Sequence, residues 1–403
     1  MKILHTGDWH LGKYLEGSSR LQEQERFLED FVKIVEDNEI DLVMITGDIY
    51  DNSNPPAAAE KLFYRGIKNI CKNGERIVLI IAGNHDNPDR LIASSPLAFE
   101  QGVIIIDKPK TAIETGACGK HKVVESGEGY FEIDICGEKA VIIALPFPSE
   151  KRLNEVLSIS MEEEEAMQGY SERIKQLFDE RKLKFREDSV NIVASHLFVI
   201  GGEESGSERA IQLGGSLAVR ASSFPENAQY VALGHLHGAQ KIDGGNNIYY
   251  AGSPLQYSKR EVNQSKGCYI IDAKPGKAPD ISKVLFKNYK PIDIWKCKNV
   301  EEAIQKCKDN EGRESWVYLE IETDRIIEQE EMRIMKSYKN DILEIKPVIK
   351  GDSREDEDNL SVGDESVEGL FKEFFIHRTG VEPTEKLMNT FMEILYGGEE
   401  EEL

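Results

Sequence analysis

Five short stretches of the sequence each combine glycine or serine with aspartate, asparagine or histidine, directly after a run of apolar residues. They are Gly7-Asp8-Trp9-His10, Gly47-Asp48-Ile49-Tyr50-Asp51, Gly83-Asn84-His85-Asp86, Ser195-His196 and Gly234-His235-Leu236-His237. Short continuous apolar runs are typical of strands that are buried on both faces of a sheet. Because polar residues just past the carboxyl ends of such strands meet along one rim, the five stretches predict one shared site in an α/β protein.

The five stretches together supply the ligand types of a two-metal site. Two neighbouring divalent cations can clamp a phosphodiester and activate water. A mixture of carboxylate, amide and imidazole groups suits an ion of intermediate hardness, such as manganese or iron, better than calcium or structural zinc. A single histidine at a strand end is more often structural than a ligand, but five of the eight histidines fall within these ordered stretches. The sequence therefore predicts a two-metal phosphoesterase site.

The order of the stretches resembles that of the calcineurin-like metallophosphoesterases. Within them, residues 2–13 and the later Gly252-Ser253-Pro254-Leu255-Gln256-Tyr257 look like the SbcD family of nuclease subunits, and the resemblance in layout covers nearly the whole chain. It implies a four-layer α/β/β/α sandwich with a small α+β capping domain and a C-terminal helical pair. It also implies a homodimeric, metal-dependent DNA nuclease, with exonuclease activity on double strands and endonuclease activity on single strands and hairpins.

The resemblance further implies a partner, metals and residue roles. The partner would be a coiled-coil ATPase of the SbcC type, in DNA replication, repair and recombination, and the metals would be two divalent ions, most simply Mn²⁺ with Mg²⁺ or Fe²⁺ as alternatives. Asp48 would bridge the two ions. The other ligands would be Asp8, His10 and His237 on one ion, and Asn84, His196 and His235 on the other. His85 would act on the scissile phosphate, and we expect the Asp51 carboxylate to orient its ring.

Two other functions remain open at this point. The first is a calcineurin-like phosphatase or cyclic-nucleotide phosphodiesterase, against which the cap and the C-terminal helical pair favour the nuclease. The second, of another class, is a scaffold that holds an ATPase dimer together. The intact ligand stretches argue against a scaffold, because it would not need Asp51 or His85.

The net charge of −23 is unexpected for a protein that grips DNA. Residues 351–403 hold 16 Asp or Glu residues against 4 Lys or Arg residues, so about half of the excess lies there. A path for DNA must therefore come from local basic residues, from the metals or from a partner subunit. The local candidates are Lys13, Arg20, Arg90, Lys259 and Arg260.

The patterning divides the chain into four parts. Strand and helix patterns alternate over residues 1–285, the predicted nuclease domain. A β-α-β-α-β order over residues 286–350 predicts a second folded unit, and the resemblance implies that this unit is the capping domain. The composition of residues 351–365 predicts an acidic linker, and the apolar spacing over residues 366–403 predicts an amphipathic helical pair. The resemblance implies that this pair docks on the ATPase, and the alternative is that it folds back on its own domain. The candidate partner contacts are Leu370, Phe371, Phe374, Phe375, Leu387, Phe391 and Ile394.

Three further expectations concern the surroundings of the site and the location of the protein. Asp86 is predicted to brace the turn of its own stretch. Residues 201–216, rich in Gly, Glu and Ser, are predicted to form a loop beside the metal rim. The six cysteines form no CxxC pair, no apolar run is long enough to span a bilayer, and the chain starts in a predicted strand, so we expect a cytoplasmic protein without a signal peptide.

Overall fold

The chain forms two compact units, Met1–Val348 and Ile349–Leu403. The computed structural model describes residues 1–155, 163–208, 217–244 and 247–348, and ten residues of the second unit: Gly369, Phe371, Lys372, Phe375, Pro383, Thr384, Leu387, Met388, Thr390 and Phe391. The predicted linker and the candidate partner contacts Leu370, Phe374 and Ile394 lie outside the described residues. In the described part of the chain, no helix has the length and apolar composition needed to cross a membrane.

Two sheets form the main body of the first unit. The first consists, in spatial order, of Asp280–Leu285, Gly267–Asp272, Lys2–Thr6, Leu42–Thr46, Ile77–Ile81 and Val103–Ile106. The second consists of Gln240–Ile242, Ile248–Tyr250, Tyr230–Gly234, Val190–His196, Glu138–Leu145, Tyr130–Ile135, His121–Gly127 and Gly116–Cys118. Within each sheet, the central strands run parallel to their neighbours. The carboxyl ends of these central strands therefore share one rim in each sheet.

Alternation along the strands separates an inner core from two outer ones. In the first sheet, Leu42 and Met44 face a core that also contains Phe131 and Ile142 of the second sheet. The intervening Val43 packs in a different cluster, on the opposite face. The two sheets thus lie face to face, with one apolar core between them.

Helices cover the outer face of each sheet. Helices Leu21–Asp37 and Ala57–Cys71 pack on the first sheet through Phe31 and Phe63, among others. Helix Glu163–Arg181 packs on the second sheet. The resulting layer order confirms the predicted four-layer α/β/β/α sandwich. Short elements complete it: helices Pro88–Ile92, Ser95–Phe99 and Glu150–Leu153, 3₁₀ turns Lys182–Lys184, Ala221–Ser223 and Lys259–Glu261, and paired strands Tyr14–Leu15 with Ser18–Ser19 and Phe198–Val199 with Ala218–Val219.

A small α+β element follows the sandwich, with a parallel sheet and its own apolar core. Its elements are strands Ile292–Cys297, Trp316–Glu322 and Ile342–Val348 and helices Val300–Asp309 and Gln329–Tyr338. Leu15 of the sandwich packs with Trp316 and Tyr318 of this element. The Trp316 indole Nε1 donates to Glu23 Oε1 over 2.8 Å. These contacts join the small α+β element to the sandwich within the first unit. The domain boundary at residue 285 stays a prediction.

Two aromatic residues of the second unit contact each other. The rings of Phe371 and Phe391 stack with their centroids 3.8 Å apart. Thr384 Oγ1 accepts a hydrogen bond of 3.3 Å from the main-chain N–H of Leu387, the contact that typically caps the start of a helix. Leu387 itself is 36% exposed. The contact between Phe371 and Phe391 thus places one aromatic residue of each predicted helix against the other.

The two sheets contact each other at the carboxyl ends of their central strands. His196 Nδ1 donates a hydrogen bond of 2.8 Å to the main-chain oxygen of Thr46, across the gap between the sheets. Gly234 lies beside the same oxygen, and a Cβ atom at this position would be 1.8 Å from it. Since the obstacle is backbone and not a flexible side chain, only glycine allows the sheets to meet here.

We predict that Gly234→Ala destabilises the protein by about 3 kcal/mol, because the added methyl group must push the two strand ends apart. The measurement is the free energy of unfolding of the variant by chemical denaturation. Gly238→Ala is the matched control, since the nearest atom to its added Cβ would be 3.6 Å away and the change should stay within about 0.5 kcal/mol. Equal stability of Gly234→Ala and the wild type would contradict this account of the rim.

Candidate two-metal site

The five sequence stretches converge at the rim where the sheets meet. The first sheet positions Asp8, Asp48 and Asn84 in the loops that follow three of its strands. In the second sheet, His196 ends strand Val190–His196 and His235 directly follows strand Tyr230–Gly234. The loops of the first sheet are tied together by main-chain hydrogen bonds, such as the one from Asp8 N to Gly47 O over 3.0 Å.

Asp48 lies at the centre of the cluster. Its Oδ2 atom is 3.6 Å from His10 Nε2 and 3.6 Å from His196 Nε2, with the carboxylate only 2% exposed. Its Oδ1 atom accepts a hydrogen bond of 2.9 Å from the main-chain N–H of His85. One carboxylate oxygen therefore lies near a histidine of each predicted ligand group, which is the position that a bridging ligand needs.

Asp8, His10 and His237 form the first group. Their candidate ligand atoms all lie within 4.8 Å of one another, and the two Nε2 atoms of His10 and His237 face each other at 3.0 Å. Asp8 Oδ1 accepts from the main-chain N–H of His235, but among the described residues its buried Oδ2 atom has no hydrogen-bond partner. A buried acceptor oxygen without a donor, beside two converging imidazole nitrogens, fits a divalent cation.

Asn84, His196 and His235 form the second group. Asn84 Oδ1 lies 2.8 Å from His196 Nε2 and 3.3 Å from His235 Nδ1. Because His196 Nδ1 donates to the Thr46 oxygen, its Nε2 atom carries the lone pair and faces the cluster. Three side chains from three different strand ends thus aim ligand atoms at one point, which fits a second cation on the other side of Asp48.

Burial sets the protonation of this cluster. It lowers the pKa of His10 and of His235 to about 3, and it also lowers the pKa of His196. Neutral imidazole is the form that binds metal. Burial and the charge of Asp48 raise the pKa of Asp8 well above its ordinary value. Cations would offset this repulsion between two buried carboxylates.

The loops that carry the ligands are bent into unusual backbone conformations. Asp8, His10 and Asp48 have φ angles of 52°, 44° and 48°, and His235 has a φ of 110°. Such conformations are rare for residues other than glycine and occur most often at functional sites. At Gly83, an added Cβ would lie 2.1 Å from Asp48 Oδ1. The bends and the missing side chain together let the ligand loops approach one another.

His85 lies beside the cluster, but its orienting contact differs from the predicted one. Its Nδ1 atom donates a hydrogen bond of 2.6 Å to the main-chain oxygen of Asp51. This bond leaves Nε2 facing the cluster, 4.0 Å from Asp48 Oδ2. The expected hydrogen bond between Asp51 and His85 is thus present, but its acceptor is the main-chain oxygen of Asp51 and not the carboxylate. That carboxylate instead binds the Lys13 ammonium at 2.8 Å and lies 3.5 Å from His10 Nδ1.

The five candidate DNA contacts lie in different environments. Arg20 is only 1% exposed and its guanidinium binds Glu23 and the main-chain oxygen of Gln256, so it holds the fold together and cannot reach DNA. For Arg20 the prediction is therefore wrong. The other four stay predictions. Lys13 binds Asp51, Arg90 binds Glu60 at 2.9 Å, Lys259 binds Glu320 at 2.7 Å, and Arg260 is exposed in the turn Lys259–Glu261.

Several supporting residues surround the ligands. Asp86 accepts from the main-chain N–H groups of Gly83, Ile49 and Tyr50, so it braces two ligand loops and not only its own turn. Arg152 donates to the main-chain oxygens of Gly83 and Asp86, 2.7 Å each. Sequence reasoning missed Arg152 because it is far from the five stretches and the sequence around it carries no signal of its contacts.

The predicted loop beside the rim reaches the last ligand stretch. In the part of residues 201–216 that the structure describes, Glu208 Oε1 accepts a hydrogen bond of 2.9 Å from the main-chain N–H of His237. Residues 209–216 lie outside the described residues. Neither Glu208 nor Glu261, which is buried in the same region, was recognised from the sequence.

Comparison with known proteins agrees with this geometry. A family model described as calcineurin-like phosphoesterase matches residues 1–239, and a model described as the type 5 capsule protein repressor C-terminal domain matches residues 288–379. The SbcD subunit of the nuclease SbcCD from Bacillus subtilis is 40% identical over 406 residues, which is 100% of both chains. The corresponding SbcCD subunit from Rhodobacter capsulatus is 32% identical over 286 residues, or 69% of this chain and 68% of that protein.

Two solved structures show a more distant likeness. A dimetal phosphatase from Danio rerio has a TM-score of 0.36 at 14% identity and covers 70% of this chain and 98% of its own. A hypothetical protein from Thermus thermophilus has a TM-score of 0.38 at 12% identity and covers 72% of this chain and 100% of its own. By the match of its first 239 residues and by its full-length similarity to the B. subtilis protein, the chain belongs to the calcineurin-like phosphoesterases and, within them, to the SbcD nuclease family.

Proposed function

We propose that the chain is a metal-dependent DNA nuclease with exonuclease activity on double-stranded ends and endonuclease activity on single strands and hairpins. It would be the hydrolytic subunit of an ATP-driven complex of the SbcCD type that processes DNA ends in repair and recombination. The position of Asp48 supports this proposal most directly, because one of its carboxylate oxygens lies 3.6 Å from a histidine of each ligand group. A single-metal or purely structural site would not need such a shared oxygen.

Seven residues would hold the metals. Asp48 would bridge the two ions, with Asp8, His10 and His237 on one side and Asn84, His196 and His235 on the other. Two bound divalent cations would polarise the phosphodiester and lower the pKa of water between them. The two carboxylates, one amide oxygen and four imidazoles favour manganese among the common cations, since the set is neither all oxygen nor rich in thiolate.

His85 would act on the leaving oxygen of the scissile bond. Its ring is fixed by the bond from Nδ1 to the main-chain oxygen of Asp51, and its Nε2 atom points toward the cluster. Because the Nδ1 proton is donated to the Asp51 oxygen, the imidazolium form of the ring is the one that can donate from Nε2 to the leaving oxygen, and the fixed ring needs no reorganisation at the moment of reaction. Asp51 would contribute through its main chain to His85 and through its carboxylate to Lys13, which lies at the edge of the site.

The partner, the dimer and the location are further parts of the proposal. The second unit, with the aromatic pair Phe371 and Phe391 and the exposed Leu387, would bind a coiled-coil ATPase of the SbcC type. A homodimer would form through helices Leu21–Asp37 and Ala57–Cys71 of the first unit, and Tyr64 of the second helix is 46% exposed. A cytoplasmic location is favoured by the six cysteines, all of which are free thiols.

We predict that the full-length chain digests end-labelled duplex and hairpin DNA with manganese and that Asp48→Ala abolishes this digestion, because both ions lose their shared ligand. Magnesium and iron replace manganese in parallel reactions to identify the preferred ion. Cyclic nucleotides and phosphoproteins are the competing substrates. A chain that hydrolysed these faster than DNA would favour the phosphatase alternative, and a chain inactive on every substrate would favour the scaffold.

We predict that His85→Ala still binds two metal ions but hydrolyses DNA about 10²- to 10⁴-fold more slowly, the usual contribution of a positioned acid. Metal content is measured by elemental analysis and hydrolysis by single-turnover cleavage of labelled duplex. His121→Ala serves as the matched control, since His121 lies apart from the cluster and binds the main-chain oxygen of Glu75. Loss of metal from His85→Ala would instead make this residue a ligand.

We predict that deletion of residues 351–403 abolishes co-purification with the ATPase while cleavage of a small chromogenic diester with manganese is retained, because Met1–Val348 is compact by itself. Association is measured by pull-down of the separately expressed ATPase, with the full-length chain as reference. A truncated chain that still bound the ATPase would contradict the assignment of the partner contacts to the helical pair.

A further inference from the structure

His237 is held on three sides by residues outside the five ligand stretches. Its main-chain N–H donates to Glu208 Oε1 over 2.9 Å, and its main-chain oxygen accepts from the Lys266 ammonium over 2.8 Å. Its ring atom Nδ1 contacts the hydroxyl oxygen of Ser207. His237 is 1% exposed, so these contacts are made away from bulk water. The ring and its main chain are therefore fixed together.

The hydroxyl of Ser207 connects this ring to a buried carboxylate. Ser207 Oγ contacts His237 Nδ1 on one side and Glu261 Oε1 on the other. An ionised carboxylate can only accept hydrogen bonds, and a hydroxyl has a single proton to donate. Ser207 must then donate to Glu261 and accept from His237. This order requires a proton on Nδ1 of His237 and leaves the lone pair on Nε2.

Glu261 is built to remain ionised at this position. It is 0% exposed, and its Oε2 atom forms an ion pair with Lys266, whose side chain is 6% exposed. The same oxygen accepts a hydrogen bond of 3.2 Å from the main-chain N–H of Tyr257. The acceptor role of Glu261 follows from these contacts.

The direction of the chain of hydrogen bonds matches what the site needs. The lone pair on His237 Nε2 faces His10 Nε2 at 3.0 Å, where the first group of ligands converges. On the other side of Asp48, the Nδ1 atom of His196 is fixed by a main-chain oxygen, that of Thr46. Side-chain substitution can therefore disturb the ring of His237 while the ring of His196 remains fixed. The two sides differ in a way that an experiment can detect.

We propose that Ser207 and Glu261 are positioning residues that fix the tautomer and direction of His237, and so set the affinity of the ion held by Asp8, His10 and His237. The proposal rests on the two-metal function proposed above. Outer partners of metal-binding histidines generally act in this way, and their loss costs about 10- to 100-fold in metal affinity. The ion on the other side of Asp48 should be affected much less.

The test is a titration of the full-length chain with manganese. Calorimetry measures the affinity of each ion, and electron paramagnetic resonance shows whether the two ions are coupled. The wild type should bind two ions and give the signal of a coupled pair. Ser207→Ala should bind one ion with unchanged affinity and the other about 10- to 100-fold more weakly, so that the uncoupled signal appears at manganese concentrations that saturate the wild type. Ser207→Thr keeps the hydroxyl and should restore the coupled signal.

The matched control is Ser258→Ala, which loses only a hydrogen bond of 3.2 Å to the main-chain oxygen of Ser205 and should bind both ions like the wild type. Two affinities in Ser207→Ala equal to those of the wild type would overturn the positioning role and leave the two-metal function standing. Equal weakening of both ions, with a lower unfolding temperature and no rescue by Ser207→Thr, would also overturn it. A wild-type chain that bound no pair of ions would overturn the proposed function itself, and this inference with it.

Discussion

Two carboxylates with like charge, Asp8 and Asp48, are buried side by side at the rim where the sheets meet, 0% and 2% exposed. Burying such charges costs several kcal/mol per ion unless an opposite charge compensates them. Burial lowers the pKa of His10, His196 and His235, which favours neutral imidazoles that supply lone pairs and no positive charge. A pair of divalent cations would satisfy the carboxylates and the lone pairs together.

The fold serves this requirement through the contact between its sheets. The first sheet contributes Asp8, Asp48 and Asn84, and the second contributes His196 and His235, so neither sheet holds a complete site. Close approach depends on glycine at the crossing points and on ligand residues with positive φ angles. The strain in these loops is maintained by the surrounding main-chain bonds and by packing of the apolar core between the sheets.

Strand ends and ligand types could be predicted from the sequence because both have local signals. An apolar run followed by glycine and a polar residue marks each of the loops that carry Asp8, Asp48 and Asn84. The contacts of Asp51 and Arg20 could not be predicted, since a carboxylate and a guanidinium bind whichever charge the fold brings near them. The same holds for Ser207, Glu208 and Glu261, whose contacts with His237 and with each other form only after the chain has folded.

The most direct test of the account is the position of the metals themselves. Crystals grown with manganese would give anomalous difference maps in which each bound ion appears as a separate peak. We expect two peaks on opposite sides of the Asp48 carboxylate, one next to His10 and His237 and the other next to Asn84 and His196. A single peak, or peaks that lie away from Asp48, would contradict a two-metal site bridged by this residue.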